Sequence, residues 1–162
     1  MKNILIFTSL ILLTACAVNK NTKSTNPYTG DTVGCGNFIV YKLNEDNSEF
    51  VSIVIDAGSV ELESTQSYGI GKADIVKVAR KKYAGSIAAS LCNDVMMDKP
   101  DELLDEVATS GTVELLVDEL EIEKAKKNEA YKVTVILRKV AFGDTTIDYV
   151  RLEDVMVGWL PG

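Results

Sequence analysis

Residues 131–138 read YKVTVILR, and apolar side chains fall at every second place: Tyr131, Val133, Val135 and Leu137. Lys132, Thr134 and Arg138 take alternate positions. Neighbouring side chains on a strand point to opposite faces, so the pattern predicts a strand with one face on a core and the other in water. The same period recurs elsewhere. Ile39, Tyr41 and Leu43 alternate with Val40 and Lys42, and Val51, Ile53 and Ile55 alternate with Ser52, Val54 and Asp56. The turn-like Asn44-Glu45-Asp46-Asn47-Ser48 between these two runs predicts a hairpin. Val60 and Leu62 mark a third strand, Val113, Leu115 and Val117 a further one, and residues 147–159 one or two more.

Other segments are less regular. Ile75, Val78, Ala79, Tyr83, Ile87 and Leu91 fit a helical stripe, but Gly85 interrupts it. The expectation there is a strand or short helix from Ala73, then a strand from Gly85 to Cys92. Pro100 followed by Asp101, Glu102, Asp105 and Glu106 predicts a short helix, because proline suits a first turn and acids complement the helix dipole. The mixed charges of residues 119–129 predict a solvated hairpin end or helical turn. Seven or eight short strands without β-then-helix alternation predict a mainly β fold. The expected architecture is an antiparallel β-sandwich, immunoglobulin-like or transthyretin-like in layout, with one or two short helices. A partly closed barrel is the alternative.

The chain opens MKNILIFTSLILLTAC. Lys2 supplies one positive charge, and the apolar run that follows reaches about a dozen residues, where a bilayer-spanning helix needs about 20. A short greasy run after a basic start predicts a secretory signal in residues 1–15. The run ends in Leu13-Thr14-Ala15-Cys16, which resembles the lipobox of bacterial lipoproteins. That resemblance implies diacylglycerol attachment at Cys16, cleavage before it and acylation of the new amine. Two or three acyl chains on one residue make a stable anchor, where a single chain does not. Residue 17 is alanine, a pattern resembling lipoproteins retained at an outer membrane and facing the periplasm. Residues 16–34 are polar, small and broken by Pro27 and Gly30, which predicts a tether ahead of one β-rich domain over residues 35–162.

With Cys16 committed to lipid, Cys35 and Cys92 remain, 57 residues apart. Two cysteines in an oxidising compartment predict a disulfide. The alternative is a pair of free or metal-binding thiols. Without the leader the chain carries 16 basic and 24 acidic side chains. Such an acidic body disfavours nucleic acid as a partner, since recognition there needs a basic surface. The expected partners are the membrane, through Cys16, and a protein of the envelope.

The chain contains no histidine. Ser-His and Cys-His activation are therefore unavailable, and so is the commonest metal ligand. Gly69-Ile70-Gly71-Lys72 has the look of a phosphate loop, but Gln66 stands where a glycine is needed and Ala73 where Ser or Thr is needed. A turn is expected instead. Asp94, Asp98, Asp101, Glu102, Asp105 and Glu106 form an acidic cluster that invites a calcium reading, though without the spacing of an EF-hand loop. No cofactor is expected. Two function classes follow: a non-catalytic envelope lipoprotein that works by binding, and, as the alternative, a carboxylate-based enzyme acting on cell-wall glycan.

Overall fold

A computed structural model describes residues 26–36, 38–60, 65–72, 74–93 and 98–158. The leader, Cys16, Asp94 and Trp159 lie outside the described residues. Among the described residues nine strands form two antiparallel sheets. The first contains β1 (Thr32–Cys35), β2 (Ile39–Leu43), β3 (Glu49–Ile55), β5 (Val76–Tyr83) and β6 (Glu102–Val107), side by side in that order. The second contains β4 (Thr65–Gly69), β7 (Ser110–Leu116), β8 (Tyr131–Phe142) and β9 (Thr145–Val157), again in that order. Helix α1 (Glu119–Lys126) joins β7 to β8. The mainly β sandwich predicted by the alternation is the fold.

The core lies between the sheets. Val40, Val51, Ile53, Ile55 and Val78 from the first meet Val113, Leu115, Val135, Leu137, Val150 and Leu152 from the second, all buried. The hairpin expected over residues 39–55 is present, with Leu43 opposite Phe50. Its turn is held by the Asn44 side chain, which accepts from the Glu49 N–H at 3.0 Å. Residues 70–72 make the expected turn, with Gly71 at φ 77°.

Four expectations are corrected. Residues 102–107 form a strand, not a helix: the carboxylates of Glu106 and Asp105 reach Arg80 and Lys81 on β5, and the backbone pairs with β5 rather than with itself. Residues 85–92 form no strand; a 3-10 turn (Ala88–Ser90) sits there instead. Val60 follows another such turn (Ala57–Ser59). The third strand is β4, while Leu62 lies outside the described residues.

Finally, the fold begins before residue 35. Tyr28 is buried and donates to Glu49 Oε1 at 3.0 Å, and the Gly30 N–H donates to the Leu43 carbonyl at 2.9 Å. One aromatic ring and one closely fitting glycine are enough to dock a segment whose composition otherwise reads as linker.

The long strands keep their apolar residues inward by means of irregularities. The β8–β9 register shifts between Val133 and Val135, and Asp154 sits at φ 52°. An extra residue in one strand resets the face of those that follow, so Leu152 and Val155 are both buried although three apart.

The sheets also approach at one side. A Cβ at Gly34 on β1 would collide with the Met156 carbonyl of β9. Gly34→Ala is therefore expected to cost about 1–3 kcal/mol, as overpacking does. A lowered urea midpoint with an unchanged slope would show it.

Candidate functional site

β2 and β3 carry apolar residues on both faces. Val51, Ile53 and Ile55 point into the sandwich, so Phe50, Ser52 and Val54 point out. A second cluster gathers on that outer face: Leu43, Phe50, Tyr83 and Ile87 are buried, with Val33, Tyr41, Ala88 and Leu91 packed beside them. The Tyr41 and Phe50 rings meet edge to face at 5.1 Å, and Phe50 stacks on Tyr83 at 6.2 Å. Such geometries suit the charge distribution of aromatic rings.

Residues 84–93 make a flap over this cluster. The Ile87 N–H donates to the Asn47 carbonyl at 2.8 Å, tying the flap to the β2–β3 turn; just before the flap, the Tyr83 N–H donates to the Ser48 carbonyl at 2.8 Å. At its far end Cys92 comes to disulfide distance of Cys35 on β1, with the Cα atoms 5.4 Å apart.

Between flap and sheet lies a depression of about 260 Å³, lined by Tyr41, Ser52, Lys81, Tyr83, Leu91 and Lys99 among others. Burial pushes the Tyr41 phenol above its ordinary pKa, with Lys81 acting in the opposite direction. Tyr83 is also raised, by burial and then by its hydrogen bond to Glu102. Lys81 is held above the usual lysine range mainly by its bond to Asp105. Both phenols therefore stay neutral and Lys81 stays charged at neutral pH. Lys99 also lines the rim, and among the described residues it makes no ion pair.

The acidic cluster does not converge. Glu102 and Asp105 both turn to Lys81, at 3.2 and 2.6 Å, so an ammonium group occupies the place a cation would take. Glu106 pairs with Arg80 instead, and Asp98 and Asp101 precede the strand. Among the described residues no three carboxylates or thiols are arranged to hold a metal ion. The carboxylates that do shift, Glu121, Glu123 and Asp46, move below their ordinary pKa through hydrogen bonds from Lys124, Lys126 and Ser48. That is opposite to what a general acid needs.

The outer-face cluster escaped sequence reading because alternation was used to assign one face per strand. The signal was present. Residues 50–55, FVSIVI, are nearly continuous in apolar character, which marks a strand covered on both sides. Comparison of the chain with protein-family models, with curated proteins and with solved structures finds no match.

Proposed function

We propose that this protein is a lipid-anchored lipoprotein of a bacterial envelope, attached at Cys16 and working by binding a protein partner rather than by catalysis. The reading is supported above all by the outer face of the first sheet. An aromatic, flap-backed depression rimmed by Lys81 and Lys99 stands where a merely solvated sandwich would carry polar side chains. The Leu13-Thr14-Ala15-Cys16 sequence supports the address, on an outer membrane and facing the periplasm. The acidic composition favours neutral or basic partner surfaces over nucleic acid. The described fold reaches back to the buried Tyr28, so the tether expected over residues 16–34 does not extend to Cys35.

The anchor is tested by labelled palmitate. The native chain is expected to incorporate label, whereas Cys16→Ser is expected to incorporate none and to leave an unprocessed or soluble species. Equal labelling of both would overturn the address.

A further inference from the structure

Strand β6 forms one side of the first sheet and pairs only with β5 among the described residues. The Ala108 N–H donates to the Val78 carbonyl at 2.8 Å. Inward and outward backbone groups alternate along an antiparallel strand. The register sets Glu106 opposite Arg80 and Leu104 opposite Lys82, so these residues turn their N–H and C=O groups to β5. Asp105 and Val107 consequently turn theirs to solvent.

Leu103 and Val107 are 61% and 50% exposed, an uncommon investment of large apolar side chains on an open edge. The charge along the edge is one-sided. Residues 98–107 hold five carboxylates and one lysine. Arg80 and Lys81 pair with three of those acids, but the cations are the more covered partners: their side chains are 15% and 31% exposed, against 34–45% for Glu106, Glu102 and Asp105. Lys82, exposed opposite Leu104, stays one strand behind the edge, so the row an arriving strand meets first, that of β6 itself, is acidic and apolar in turn.

We propose that β6 accepts an extended segment of a protein partner as a sixth strand of the first sheet, and that this segment carries lysine or arginine between apolar residues. The inference rests on the binding role proposed above and names the partner's chemistry. Main-chain hydrogen bonds to Asp105 and Val107 supply the pairing; Leu103, Val107 and the acids supply the selection. A second copy of the chain is a poor occupant, because it would bring the same carboxylates to the same edge, and like charges across a strand pair repel.

The test uses the full chain in detergent and capped heptapeptides of alternating lysine and valine, with alternating glutamate and valine as the control. Amide hydrogen exchange at Asp105 and Val107 is expected to slow by about tenfold or more with the lysine peptide, and less so at high salt. The glutamate peptide should leave it unchanged. Val107→Pro removes an outward N–H without touching the β5 ladder, and Val107→Lys adds a repelling charge. Each is expected to weaken binding by about tenfold or more. Should the proline variant fail to fold, the lysine variant decides. Unchanged exchange, equal protection by both peptides, protection at Thr65–Gly69 instead, or a dimer joined through β6 would each overturn the proposal. These outcomes are separate from the broader reading, which would survive them if a partner still crosslinks to the outer face of the first sheet.

Discussion

Reduction of the Cys35–Cys92 pair is expected to remove about 4 kcal/mol of unfolding free energy. The estimate comes from the chain-entropy cost of closing a loop of 57 residues. The structure adds a local effect to this global one. The flap over residues 84–93 is held by the buried Ile87 side chain, the hydrogen bond from the Ile87 N–H to the Asn47 carbonyl, and Cys92. Without the link to β1, Leu91 and Ala88 lose their tether and the aromatic cluster beneath them opens to water. Urea titrations with and without reductant, and of Cys35→Ala/Cys92→Ala, should therefore show a lower midpoint together with increased binding of a hydrophobic dye before the main transition. Equal midpoints, or two alkylatable thiols in freshly isolated protein, would contradict the pairing.

Loss of the Tyr28 side chain is expected to be comparably severe. The ring is fully covered although it lies near the start of the described chain. Tyr28→Ala should cost about 3–5 kcal/mol, the usual range for deleting a buried aromatic. Tyr28→Phe keeps the ring and loses the hydrogen bond to Glu49, for about 1 kcal/mol.

Alkali gives a second signature. Burial first, then the Glu49 carboxylate, push the phenol far above its ordinary pKa, while Arg80 pulls the other way. The folded state thus holds this proton where the unfolded chain releases it. Its contribution is complete below about pH 10 and is lost as pH rises beyond that, since the unfolded state then ionises alone. Stability should fall above pH 10 less steeply in Tyr28→Phe than in the native chain. Equal slopes, or an unaffected Tyr28→Ala variant, would contradict the docking of Tyr28 beside Glu49.

The parts of the fold that were legible in sequence are those where one face alone is buried. Tyr131, Val133, Val135 and Leu137 declare β8 without ambiguity because Lys132 and Thr134 stand between them. Where both faces are covered, as in β3, alternation still locates the strand but hides the second cluster. β6 was read as a helix because Pro100 and the acids after it imitate a first helical turn. What decides the matter is Arg80 and Lys81, some twenty residues earlier in sequence, which pair with those acids across the sheet. Helix α1 was half legible: Asp118 accepts from the Glu121 N–H at 2.9 Å as a cap, with acids in the first turn and lysines in the last. Its docking was not, since it depends on Glu121 also accepting from the Lys132 N–H at 2.7 Å. The depression draws on β2, β3, β5, the flap and Lys99, and only tertiary structure brings these together.

The central claim is that the protein works by binding through the outer face of the first sheet. Site-specific photocrosslinking in intact cells tests it most directly. Probes would replace Val54 and Lys99 on that face, and Lys132 and Glu153 on the opposite, exposed face of β8 and β9. The account predicts one discrete protein adduct from the first pair and none from the second. Adducts from Lys132 and Glu153 alone, or none from any position while the purified chain turns over cell-wall glycan, would contradict it.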